Sequence, residues 1–182
     1  SGFRKDDTIM SALDSNPANK NFLSPLNFSF KIKKAPSTNF FIQKVNVPRM
    51  SLPDVQVPNQ FVNLPVPGDH VTFESLSITF KVDEDLENYM EIYNWLVQMG
   101  KPRSFDQYAT IQNQDPLSGL GIYSDIELMI LDGKRNPNYA VVYEDAFPTD
   151  LGEIQFESTA EDIDFVTASA TFKYKLYTIE KV

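Results

Sequence analysis

Along this chain apolar side chains recur at every second position in several separate runs, and at a helical period in one. Phe28, Phe30 and Ile32 alternate with Ser29, Lys31 and Lys33. A period of two is that of a strand with one buried face. After a turn at Ala35, Pro36 and Ser37, residues 40–47 are β-branched and aromatic, which predicts a hairpin partner for that strand. The clearest alternation sets Leu76, Ile78, Phe80 and Val82 against Ser75, Ser77, Thr79 and Lys81. Ile126, Leu128 and Ile130 form another set, followed by the hairpin signal Asp132-Gly133 and a returning strand over 139–147. Residues 147–152 read as a turn and 154–157 as a short strand. Val166, Ala168, Ala170, Phe172, Tyr174 and Leu176 then alternate with Thr167, Ser169, Thr171, Lys173 and Lys175, which predicts one long closing strand with an apolar and a polar face.

The helical run follows Asp83-Glu84-Asp85, acids suited to free amides and to the dipole at a helix start. Leu86, Tyr89, Met90, Tyr93, Leu96 and Val97 recur at helical spacing, and Gly100-Lys101-Pro102 ends the run. That stripe is expected to pack on a sheet. Trp95 lies off it and is expected to cover a sheet edge or a neighbouring subunit. The fold class is therefore mainly β (β+α): an antiparallel β-sandwich or partly closed barrel with one flanking α-helix.

One segment fits neither period. Residues 48–68 hold Pro48, Pro53, Pro58, Pro65 and Pro67, interleaved with Val55, Val57, Phe61, Val62, Leu64 and Val66. Proline removes backbone donors and is kept out of central strands. The segment reads as an extended loop or edge hairpin whose apolar side chains want a partner surface. An intermolecular contact arm is the preferred reading, and a loop folded over its own core the alternative. Residues 1–25 form an N-terminal arm, with turn signals at Asn16-Pro17 and Ser24-Pro25 and a short helix near residues 8–13. Residues 26–182 then form one β domain, in which 103–123 reads mostly as loop.

Composition narrows the function. The chain has 182 residues, enough to bury a core without staples, and a net charge of -9, which argues against a nucleic-acid-gripping surface. Residues 1–50 carry eight Lys/Arg and three Asp, whereas the remainder carries eight basic and 22 acidic side chains. Such polarity suits head-to-tail contacts between copies, in which Lys33 and Lys34 are candidates. No apolar run approaches the roughly 20 residues of a membrane helix, and no signal-peptide pattern opens the chain, so it reads as a soluble protein with no membrane contact.

Chemistry finds little purchase. There is no Cys, and His70 is the single His, so thiolate, triad and multi-histidine metal schemes have no residues to work with. The acids at 83–85 and at Glu161, Asp162 and Asp164 sit at a helix start and before a strand, and lack the spacing of a calcium loop. Gly119-Leu120-Gly121 lacks the lysine and further glycine of a phosphate loop. No catalytic residue, metal site or cofactor is expected, and the chain reads as a non-enzymatic structural protein.

Three pieces in order carry a resemblance. They are Val66-Pro67-Gly68-Asp69-His70-Val71-Thr72-Phe73-Glu74 leading into the strand at 75–82, the acidic helix start with its Asn94-Trp95-Leu96 end, and Ala146-Phe147-Pro148-Thr149-Asp150-Leu151-Gly152-Glu153-Ile154 before the closing strand. Over residues 26–178 the chain resembles the tail-tube proteins of T4-like contractile phages, a family related to tube proteins of secretion systems. The resemblance implies six copies joining their sheets into a ring, and rings stacking through an extended hairpin loop that falls at 48–68. It implies a virion tail protein assembled in the host cytoplasm, with sheath or baseplate hub proteins as neighbours and DNA passing through the lumen without specific binding. The N-terminal basic arm and the proline density point to a baseplate hub or tube-initiator ring as the alternative. A β-sandwich binding module is a third reading, opposed by aromatics that sit on the apolar strand faces. The subunit-contact candidates are Lys33, Lys34, Pro53, Val55, Val57, Phe61, Leu64 and Trp95.

Overall fold

The computed structural model describes residues 21–100, 122–159 and 165–182. The N-terminal arm up to residue 20, most of the 103–123 loop and the acids at 161–164 lie outside the described residues. The alternating runs form β1 (Phe28–Ile32), β2 (Ile42–Val45), β7 (Leu76–Lys81), β8 (Ser124–Leu131), β9 (Pro137–Leu151), β10 (Thr167–Lys173) and β11 (Leu176–Lys181). All their ladders are antiparallel, in the order β1-β8-β9-β10-β7-β2, with β11 also on β9.

The long strand β9 joins two sheets. Its first part pairs with β8 and β11, and its end, from Phe147 to Leu151, pairs with β10. Near the crossover Asp145 takes a φ of 52°, a left-handed kink where the β8–β9 ladder shifts register between Ile126↔Tyr143 and Ser124↔Ala146. Among the described residues no ladder joins β1 to β2, so the barrel is only partly closed. The inward positions are those of the alternation: Phe30 and Ile32, Leu76, Ile78 and Phe80, Ile126 and Leu128, Ala168, Ala170 and Phe172.

Four expectations are corrected. The partner of β1 is β8, not the segment after the 35–37 turn. Pro36 instead opens a short second helix, α1 (Pro36–Phe40), as its fixed φ favours at a first helical turn. Asn39 accepts from the Ile32 N–H at 2.6 Å and donates to the Ile32 carbonyl at 3.3 Å, turning the chain so that β2 reaches β7 in the other sheet. Residues 147–151 continue β9 rather than turning, because Phe147 and Pro148 pair with Lys173 and Phe172, and no strand forms at 154–157. The closing strand is two strands, with a break at Tyr174 and Lys175 that moves the chain from β10, in one sheet, to β11 on β9 in the other.

The fourth correction concerns α2 (Glu87–Gly100), whose buried residues are Asn88, Ile92 and Trp95; of the expected stripe Tyr89 and Leu96 pack against the core, whereas Leu86, Met90 and Tyr93 are exposed. Asn88 sets this rotation. It is fully buried, donates to the Lys81 carbonyl at 2.7 Å and accepts from the Asp83 N–H at 3.3 Å, tying the helix start to the end of β7. Trp95, 3% exposed, packs on Phe172 and donates to the Ile122 carbonyl at 2.7 Å. It is a core residue and has no surface left to offer a neighbour.

Candidate assembly surface

Between β2 and β7 the chain leaves the barrel and returns. The proline-rich segment forms β3 (Met50–Ser51), β4 (Asp54–Val57), β5 (Leu64–Pro67) and β6 (Thr72–Phe73). The register is Asp54↔Pro67, Val55↔Val66, Gln56↔Pro65 and Val57↔Leu64. Residues directly opposite share a face, so Val55, Val57, Leu64 and Val66 form one wholly aliphatic face, and Asp54, Gln56, Pro65 and Pro67 form the other. All eight residues are exposed, and Phe61 at the tip is 89% exposed. Nothing among the described residues covers the aliphatic face. A two-stranded ribbon is marginal in water on its own.

The prolines have a defined place in this ribbon. The Gly68 N–H donates to the Pro53 carbonyl at 2.8 Å. In an antiparallel ladder bonded pairs alternate, so the N–H groups of Leu64 and Val66 face β4 while Pro65 and Pro67 face outward. The outer edge of β5 therefore carries no donor at those two positions, and a further strand cannot be added there. Gly68 is required by space as well, since a Cβ there would collide with the Pro53 carbonyl oxygen.

The ribbon's base is held by aromatics, of which the alternation pattern had named Tyr174 but not Tyr177 or Phe73. The Tyr177 hydroxyl donates to the buried Pro48 carbonyl at 3.1 Å, and the Tyr174 hydroxyl to the Glu74 carbonyl at 2.7 Å. Phe73 packs on both rings, with centroids at 5.2 and 6.0 Å, and Tyr143 lies behind them. Burial, with Tyr177 and Glu74 close by, pushes the Tyr174 hydroxyl up to about 12, so at neutral pH it keeps the proton it donates. Burial and the same two tyrosines push the Tyr143 hydroxyl up further. The available signal was Tyr174 and Tyr177, three apart across the strand break, where a strict alternation would put them on opposite faces.

The expected contact residues thus separate into two groups. Pro53, Val55, Val57, Phe61 and Leu64 lie together on the ribbon, all exposed. Lys33 and Lys34 lie in the connection from β1 to α1. Lys33 is exposed, whereas Lys34 is half-buried with its ammonium 5.3 Å from the Trp95 ring centroid, and burial lowers its pKa. Lys34 therefore supports the helix. The lone His70, 87% exposed beside Asp69, makes only a 3.7 Å contact with its neighbour's carboxylate. No group of three or more His, Cys, Asp or Glu among the described residues is placed to hold a metal.

The described residues thus form an open β-barrel with a flanking helix and a projecting ribbon whose aliphatic face is exposed. Residues 14–180 match the phage tail tube protein family, and the chain belongs to that family. It is a structural protein of the phage tail and not an enzyme. It is 25% identical over 162 residues to the tail tube terminator protein of Enterobacteria phage T4, covering 85% of this chain and 87% of that one. In fold it is similar to the tube-terminating cap of the anti-feeding prophage, with a TM-score of 0.59 at 12% identity over 95% of this chain and 100% of that one. A chain of the six-fold symmetrised baseplate of the same particle gives 0.53 at 11% identity, over 84% of this chain and 90% of that one.

Proposed function

We propose that this chain forms six-membered rings that stack coaxially as part of a tail tube, with the ribbon β4–β5 as the contact between rings. The observation that carries this reading is the aliphatic face of Val55, Val57, Leu64 and Val66, projected from the barrel and left uncovered on a chain of the tail tube family. Six-fold symmetry is supported by the baseplate chain of similar fold. The open edges of β1 and β2 leave backbone groups for neighbours within a ring, where Lys33 is a contact residue. A net charge of -9 suits a conduit through which DNA slides without adhering.

A specific observation favours one place for the ring. The T4 relative is named for the tube's terminus and the prophage chain for its cap, which favours, as a second reading, a single ring that sits on the tube's end instead of stacking on copies of itself. Replacing Val55 and Val57 together by Asp is expected to leave the barrel folded and the rings intact while abolishing stacking, read by sedimentation and negative-stain length distributions. Stacks of unchanged length in that variant would reject the ribbon as the contact.

A further inference from the structure

Two legs carry the chain out to the ribbon and back, and each is held at its root by one tyrosine hydroxyl. Tyr177 holds the outgoing leg at the Pro48 carbonyl, and Tyr174 holds the returning leg at the Glu74 carbonyl. The legs also bind each other, through the β3–β6 pairs and through the Glu74 N–H, which donates to the Arg49 carbonyl at 2.9 Å, so they move as one body. Behind the two rings lies Tyr143, fully buried, its ring centroid 5.1 Å from that of Tyr174 and 5.6 Å from that of Tyr177. Its hydroxyl has no hydrogen-bond partner among the described residues. A buried donor left unpaired is costly and rare in a folded chain, and the groups within reach that could pair it are the two hydroxyls that hold the legs.

We propose that the ribbon has a second position, in which Tyr174 releases the Glu74 carbonyl and its hydroxyl pairs with that of Tyr143. The two holding tyrosines are not equivalent. Glu74 is exposed, so water takes up its carbonyl on release, whereas Pro48 is buried and its carbonyl would be stranded. Tyr174 is also the freer of the two, half-buried at the break between β10 and β11 rather than paired within a strand. Tyr177 therefore stays, Tyr174 turns, and the ribbon swings about the Pro48 leg. Burial keeps the Tyr143 and Tyr174 hydroxyls protonated at neutral pH, so one donates to the other. The held position keeps Phe73 packed on both rings but leaves Tyr143 unpaired; the second pairs Tyr143 and loosens Phe73. A contact on the aliphatic face selects one position to the extent that it binds that position better. That use rests on the reading of the ribbon as a contact between rings, whereas the two positions belong to the single chain and need no partner.

The chain has no cysteine, so spin labels at Gln60→Cys on the ribbon tip and Glu180→Cys on β11 report the ribbon's position. Labelled chain is diluted into an excess of unlabelled chain, so that pulsed dipolar spectroscopy reads distances within one molecule whatever its assembly. Two distances are expected in the labelled parent, and Tyr143→Phe is expected to leave only that of the held position. Because Tyr143→Phe removes an unpaired hydroxyl and no bond of the held position, its thermal midpoint is expected to stay level or rise. Tyr174→Phe removes both bonds and is expected to merge the two distances into one broad distribution. A single distance in the parent, or two distances that Tyr143→Phe leaves unchanged, would overturn the proposal. A lowered midpoint for Tyr143→Phe would overturn it as well, by showing a hydroxyl already bonded in the held position. A chain that stays monomeric yet shows both distances rejects the proposed ring and keeps this inference; rings with a single distance do the reverse.

Discussion

Asn88 shows how one polar side chain orients a whole helix. Its amide is buried between α2 and the end of β7, bonded to Lys81 and Asp83, and those partners fix which side of the helix faces the core. Apolar periodicity skips an asparagine, and so the expected stripe of Leu86, Tyr89, Met90, Tyr93, Leu96 and Val97 holds only in part: Tyr89 and Leu96 pack against the core, whereas Leu86, Met90 and Tyr93 are exposed. The buried line Asn88, Ile92, Trp95 has the same period, one step round the helix. Replacing Asn88 by Ala strands a buried carbonyl and an N–H, which costs about 1–3 kcal/mol. Urea unfolding is expected to show that loss, and an unchanged midpoint would mean that the helix is held in place by Ile92 and Trp95 alone.

At the level of elements, periodicity reported burial faithfully and pairing poorly. The inward residues of β1, β7, β8 and β10 are those the alternation named, because burial on one face is a local property. Which strand lies beside which is not, and β1 found β8 about 100 residues away rather than the segment next to it. The break between β10 and β11 was hidden because alternation runs through it without a skipped position. The exposed ribbon was legible for a different reason: prolines cannot sit in a central strand, yet these alternate with valines, and only a ribbon outside the barrel satisfies both. The donor-free edge of β5 is a property of that ribbon. Replacing Pro65 and Pro67 by Val restores two outward N–H groups beside an aliphatic face, so the double variant is expected to associate edge to edge, with rising turbidity and dye binding typical of added strands. Solubility equal to that of the parent would show that the prolines serve only the loop's shape.

For the whole molecule, the parts divide by task. The two sheets joined through β9 bury one core, and the tyrosine cluster of Tyr174 and Tyr177 fixes the ribbon to that core. Charge is uneven along the sequence, basic up to residue 50 and acidic beyond. Assembly is tested most directly by the mass of the purified chain, measured by light scattering across a concentration series, with negative-stain images of the same samples. Particles of six times the chain mass seen as rings are expected, with stacks at higher concentration; a monomer at every concentration would contradict the proposed ring.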